Sequence, residues 1–304
     1  MLQLLLGGSG SGKTTLLYQR IRARAEKREK SILLVPEQFT SSTEGRIYRE
    51  LGDALSGMVE SFSFTSLAEK ILSTEGGAAV QTLSDAGRAV LVRRALEELQ
   101  DNVHYYHRHR RSAAFCQMAA QTIDELKSAG LSGQQLAQLA GACGAESGKL
   151  SELALIFQGY ETLLARSGMD PSDRLELAGA RLEEALARHS LPEFLRDRAV
   201  FIDEFDTFNA PKKRLLGALL AALPSVTVAL CDDGAPLLPG ELSLFSGAKQ
   251  VAAQLRQLAR KNGAEVAVPQ LLRKDLRHRN APGLAAVAEL LETGSCTADA
   301  PAGE

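Results

Sequence analysis

The stretch LLLGGSGSGKTTLL carries Gly7, Gly12, Lys13 and Thr14 at the spacing G-x-x-x-x-G-K-[ST], between an apolar run and a helix-like run. Glycines let backbone N–H groups turn inward around phosphates, and the start of the following helix adds its positive end. Lys13 is long enough to reach the β- and γ-phosphates of ATP, and Thr14 supplies a hydroxyl for Mg²⁺. The expected nucleotide-binding residues are therefore Gly7, Gly8, Ser9, Gly10, Ser11, Gly12, Lys13, Thr14 and Thr15. A second group, AVFIDEFDTF, is an apolar strand candidate ending in Asp203 and Glu204. A carboxylate at the carboxyl end of a strand can hold hydrated Mg²⁺, and its neighbour can orient an attacking water. Asp203 takes the metal role beside Thr14, and Glu204 the catalytic one. Alone, such a strand end is equally well a solvated terminus; the phosphate loop gives it meaning.

Those residues need a parallel sheet to bring them together. Leu2 to Leu6, Ser31 to Pro36, Met58 to Phe64, Ala199 to Asp203 and Val226 to Cys231 read as strands, and Thr14 to Arg28 and Pro211 to Ala222 as helices. Between the first and last strands the pattern is helical. Leu83, Ala86, Val90, Leu91, Ala95, Leu96 and Leu99 recur at three and four, with similar periods over Phe115 to Lys127, Leu150 to Ala165 and Arg174 to Ala187. About 190 residues separate Lys13 from Asp203, far more than a few βα units require. The expectation is an α/β fold, a P-loop (RecA-like) parallel sheet with a large all-helical insertion. The final stretch, 293–304, has no period and reads as a disordered tail.

Composition excludes several classes. The chain has 304 residues, 45% hydrophobic and 24% charged, an ordinary globular balance. Cys116, Cys143, Cys231 and Cys296 form no C-x-x-C pair, and five scattered histidines have no metal spacing, so neither a disulfide framework nor a zinc site is expected. No apolar run approaches membrane-spanning length and no signal peptide is legible, so the expected location is the cytoplasm. A net charge of −2 leaves any nucleic-acid contact to a local patch. HYYHRHRR, His104 to Arg111, mixes aromatics with cations, the types that stack on bases and neutralise phosphates; a solvated loop is the plainer reading. RIRARAEKREK, Arg20 to Lys30, interleaves glutamates and reads as the wet face of the first helix. Asp170 and Asp173 flank Pro171, where they would cap a helix.

The segments GGSGSGKTTLL, LLVPEQFTSSTE, SFSFTSLAEKIL, LSDAGRAVLVRRALEEL, LALIFQGYETLLARSGMDPSDRLELA and FIDEFDTFNAPKK occur in the order seen in the B subunit of the bacterial AddAB helicase-nuclease. The chain resembles that family over nearly its whole length, and UvrD-like superfamily 1 helicases more distantly. The resemblance implies a role in processing double-strand DNA breaks for recombination, together with a second helicase-nuclease subunit of the AddA type, on single- and double-stranded DNA. It implies ATP and Mg²⁺ as cofactors, Gly7 to Thr14 as the ATP loop, Pro36 to Thr40 as a loop near the nucleic-acid path, and Asp203 with Glu204 as the acidic motif. It also implies a 1A-type ATP-binding domain over 1–78 and 150–292, a helical 1B-type insertion over 79–149, and no membrane association.

Departures from the family pattern bear on hydrolysis. UvrD-like helicases carry D-E-F-Q-D-T where this chain has Asp203-Glu204-Phe205-Asp206-Thr207-Phe208, and a glutamine after the next strand is missing from LCDDGAPLLPG. The resemblance places the second RecA-like domain, the nuclease domain and its iron–sulfur cysteines beyond Glu304. The expectation is an amino-terminal piece that binds ATP, hydrolyses it weakly or not at all, and has no nuclease activity of its own. A stand-alone ATPase or small-molecule P-loop phosphotransferase stays open as the alternative, and so does a working motor once the missing domain is supplied.

Overall fold

The computed structural model describes residues 1–79, 81–144, 147–236, 243–274 and 276–293. Its strands are β1 (Leu2–Gly7), β2 (Ser31–Leu34), β3 (Val59–Phe62), β4 (Ala199–Ile202), β5 (Ser225–Cys231) and β6 (Gln270–Leu272). The first helices are α1 (Lys13–Glu26), α2 (Thr40–Leu51), α3 (Asp53–Ser56) and α4 (Phe64–Glu75). Then follow α5 (Asp85–Glu98), α6 (Ala113–Ser128), α7 (Gly133–Ala140), α8 (Ser147–Ser167) and α9 (Pro171–Ala187). The chain continues through α10 (Ala210–Ala222), α11 (Ser246–Lys261) and α12 (Pro282–Thr293).

All strands join one parallel sheet in the order β3-β2-β4-β5-β1-β6. Such a sheet is covered on both faces, which is why its strands read as near-continuous apolar runs. β2 and β4 are buried at every position, and β1 at all but Gln3. Leu17, Tyr18 and Ile21 of α1 and Ile47 and Leu51 of α2 pack against Leu5, Leu33, Phe201 and Ala229 of the sheet. This is the expected α/β class, a RecA-like sheet interrupted by helices. α2, α4, α7, α11, α12 and β6 had no reading in the sequence pattern. Met58 and Phe64 fall outside β3, and Phe64 opens α4. Thr293 closes α12, while 294–304 of the expected tail lie outside the described residues. Among the described residues, no helix is long and apolar enough to cross a membrane.

The chain forms two compact units: Met1–Leu67 with Ala185–Phe208 and Leu216–Glu304, and Ala68–Glu184 with Asn209–Leu215. The helical unit is therefore longer than 79–149. Its core joins Leu91, Val92 and Leu96 of α5 and Cys116 and Ile123 of α6 to Ile156, Phe157 and Tyr160 of α8, so the stretch after 150 belongs with the helices it buries. Val90, periodic in sequence, is 64% exposed, and Val92 takes the inward position. Ser84, Ser112 and Ser132 cap α5, α6 and α7 by accepting from backbone N–H groups.

Asp170 and Asp173 do more than cap. The buried Asp170 accepts from Tyr160 Oη at 2.6 Å and from Lys127 Nζ at 2.8 Å, and Lys127 also bonds Asp173 at 2.7 Å. Removing a donor leaves a buried carboxylate short of a partner. Tyr160→Phe is expected to cost about 1–2 kcal/mol, and Lys127→Met about 3 kcal/mol or more. Breaking the exposed Arg93–Glu97 pair by Arg93→Ala should move stability by less than about 0.5 kcal/mol. Urea unfolding followed by circular dichroism measures all three; equal costs would remove Asp170 as the polar anchor of this unit.

Candidate nucleotide-binding site

β1 ends at Gly7 and α1 begins at Lys13, so five residues must turn the chain. Gly10 and Gly12 do so at φ 78° and 88°, the left-handed region that glycine enters without strain. Packing also keeps the loop bare. A Cβ on Gly7 would stand 2.6 Å from the Leu272 carbonyl oxygen and closer still to the Ser11 hydroxyl. Among the described residues, the buried Ser11 Oγ finds no hydrogen-bond partner inside the turn.

Lys13 Nζ donates to the carbonyls of Gly7 at 2.8 Å and Gly8 at 2.7 Å, and lies 3.7 Å from Cys231 Sγ. The next residue reaches across the sheet: the Thr14 side chain faces the Asp203 carboxylate closely enough to favour its charged form. Asp203 follows β4, and β5 lies between β4 and β1, so the two motifs meet at the carboxyl ends of three parallel strands. Asp203 is 6% exposed, and burial raises its carboxyl above the ordinary range. Glu204 adds to that rise, while Thr14, the Glu204 backbone N–H and Lys13 oppose it.

The acidic turn is built from aromatic packing. Phe205 and Phe208 stack at 5.4 Å, and Phe64 meets them edge-on at 5.3 and 6.0 Å. With those rings buried, the chain turns sharply between them. Glu204 takes φ 64°, its N–H donates to Asp203 Oδ1 at 3.0 Å, and its side chain is exposed.

A cavity of about 690 Å³ lies over these groups, lined by Lys13, Thr14, Asp203 and Glu204 together with Ser9, Gly10, Gly12 and Thr15. Gly7, Gly8 and Ser11 instead line a neighbouring cavity of about 610 Å³, beside Asp232 and Asp233. Gln38 and Phe39, from the Pro36–Thr40 loop, line the first cavity. So do Arg46 and Arg277, which the sequence reading missed. The Arg46 guanidinium lies 4.8 Å above the Tyr18 ring, and Arg277 donates to Ser9 Oγ at 3.1 Å. Burial, opposed in part by Arg46, pushes the Tyr18 phenol up to about 12. An amphipathic reading of TSSTEGRIYREL would have found α2, but not where Arg46 points.

The donor set fits a nucleotide with its cation: a glycine turn that excludes Cβ atoms, one lysine, and a buried carboxylate in one cavity with a threonine side chain. A family model described as ADDB, N-terminal, matches residues 4–288. This chain belongs to that family. Similar relatives are the ATP-dependent helicase/deoxyribonuclease B subunits of Desulforudis audaxviator (33% identical over 296 residues, 93% of this chain and 25% of the relative) and Clostridium perfringens (29% over 283 residues, 91% and 24%). The protein of that name from Moorella thermoacetica is 33% identical over 299 residues, 93% of this chain and 25% of its own. The chain thus spans about a quarter of the length of these relatives.

Within this ADDB amino-terminal chain, the departures from the helicase pattern have definite places. Asp206, where a glutamine was expected, is exposed and lines the larger cavity. After β5, the buried Asp232 accepts from the Gly234 N–H at 2.7 Å, and Asp233 pairs with the buried Lys249 at 3.1 Å. Part of LCDDGAPLLPG, from residue 237 onward, lies outside the described residues. Among the described residues, no group of three or more His, Cys, Asp or Glu side chains could hold a metal ion, so a cation here would share its ligands with phosphate oxygens.

Gly7→Ala is expected to cost about 2 kcal/mol through overpacking. Gly247→Ala, at the start of α11 with open space around it, should be neutral or slightly stabilising. Urea midpoints compare the two, and an equally small effect at Gly7 would mean that the loop relaxes away from Ser11 and Leu272.

Proposed function

We propose that this chain is the ATP-binding amino-terminal region of a helicase-nuclease subunit that processes double-strand DNA breaks for recombinational repair, with weak or no ATP hydrolysis of its own. The convergence of Lys13, Thr14, Asp203 and Glu204 on one cavity carries the proposal, because it joins the phosphate loop to the acidic motif. Bound ATP with Mg²⁺ supplies a phosphoanhydride polarised by the metal. The chain contributes loop N–H groups and Lys13 for the phosphates, Thr14 and Asp203 for the cation, and Glu204 at the place of a water-orienting base. The sheet unit serves as the 1A-type ATP-binding domain and the helical unit as the 1B-type insertion. The relatives are named as ATP-dependent, as helicase/deoxyribonuclease, and as a B subunit. Carried to this chain, those names support DNA as substrate and a second subunit as partner; we take that subunit to be of the AddA type and the cytoplasm to be the place of work.

Weak turnover follows from the groups beside Glu204. Asp206 lines the cavity where the helicase pattern has its coupling glutamine, and a carboxylate there has no N–H to donate. Asp232 is buried and already engaged by a backbone N–H. Arg46 in the same cavity favours the second reading, a stand-alone ATPase or small-molecule phosphotransferase, since it provides a cation in cis.

Calorimetric titration with Mg-ATP, followed by phosphate release with and without single-stranded DNA, separates these readings. The expected result is binding without DNA-stimulated turnover, with Lys13→Ala abolishing binding and the thermal stabilisation that ATP confers. Unchanged affinity in Lys13→Ala would remove the site, and rapid turnover without DNA would bring the second reading forward.

A further inference from the structure

The helical unit carries a cationic surface that the ATP site does not use. Between α5 and α6, residues 104–111 include His104, His107, Arg108, His109, Arg110 and Arg111 and no acid. A carboxylate that reaches the loop, Glu152 of α8, is turned to the backbone. It accepts from the N–H groups of His104 and Tyr105 at 2.8 Å and of Tyr106 at 3.1 Å. Glu152 thus fixes the course of the loop without pairing its arginine side chains.

The inner side of the loop is anchored by packing. Val103 is buried in the helical core, the Tyr106 ring lies 5.3 Å from Phe115, and the His109 ring lies 5.7 Å from it. Ser112 then caps α6. Tyr106 is therefore a packing residue, whereas Tyr105 is 57% exposed with Lys149 Nζ 5.3 Å above its ring. Arg110 spends one donor on His107 Nδ1 at 3.2 Å, and among the described residues Arg108 and Arg111 make no ion pair.

Several other arginines are neutralised: Arg88, Arg93, Arg94, Arg181 and Arg214 each face a carboxylate. In the basic run on α1, where glutamates are interleaved, Arg22 pairs with Glu26 and Arg24 with Glu29. A fixed loop presenting unpaired guanidinium groups beside an exposed aromatic ring matches the requirements of a strand with phosphates on one side and unstacked bases on the other.

We infer that the 104–111 loop is a binding surface for single-stranded DNA, with Arg108 and Arg111 on phosphates and Tyr105 stacked on a base. The choice of DNA among polyanions rests on the proposed function, which ATP titration of the same sample tests separately. Fluorescence anisotropy of a labelled single-stranded oligonucleotide with the whole 304-residue chain measures affinity against salt. Arg108→Ala/Arg111→Ala should flatten the slope of log affinity against log salt by about 1.4, two contacts' worth for single strands. Arg108→Lys/Arg111→Lys should keep the slope, and the paired Arg22→Ala should change nothing. Tyr105→Ala should weaken single-strand binding about tenfold at unchanged slope, and leave duplex binding alone. Thermal melting of each variant should match the parent, since the altered side chains are outside the core. No DNA binding by the parent chain, or an unaltered slope in the double alanine variant with the fold intact, overturns the inference even where ATP binding stands.

Discussion

Parallel pairing of β1, β5 and β4 is the constraint on which the candidate site depends. Register sets Gly7 opposite Cys231 and Ile202 opposite Val228, so the chain leaves all three strands toward one side of the sheet. Lys13, Thr14, Asp203 and Cys231 meet there although about 190 residues intervene between the first and third. Apolar burial on both faces supports that register, because a one-residue slip would turn each inward side chain to the wrong layer.

Two buried aspartates illustrate how differently a carboxylate can be used. Asp170 is satisfied by Tyr160 and Lys127, so its charge is compensated within the helical unit and it holds α6, α8 and α9 together. Asp203 accepts from one backbone N–H, with Thr14 close by and Lys13 acting through space. Its raised proton affinity comes first from burial, which disfavours the charged form. The first carboxylate is an element of packing and the second belongs to a site.

Aromatic packing decides the shape of the acidic motif. Phe205 and Phe208 are inward on either side of Asp206, and Phe64 closes the cluster, which forces Glu204 into a left-handed conformation and its side chain outward. The same partition operates in the loop before α6, where Phe115 draws Tyr106 inward and leaves Tyr105 exposed. Neighbouring aromatics of one type thus separate into a structural set and an available set according to which ring finds a partner.

The sequence by itself determined the local parts. The G-x-x-x-x-G-K-T spacing specifies a strand, a turn that needs positive φ, and a helix, because those demands are satisfied within a dozen residues. Runs such as ILLV and AVFI announce buried strands, and the three-four period of Leu91, Ala95 and Leu96 announces a core-facing helix. A short element such as β6, with three residues, gave no such signal. The tertiary structure alone decided which charges were cancelled. Arg24 finds Glu29 within its own run, whereas Arg214 of α10 meets Glu176 and Glu183 of α9, and Lys127 of α6 meets Asp170. Pairing depends on through-space distances of a few ångströms between elements far apart in the chain, and spacing along the chain carries no record of them.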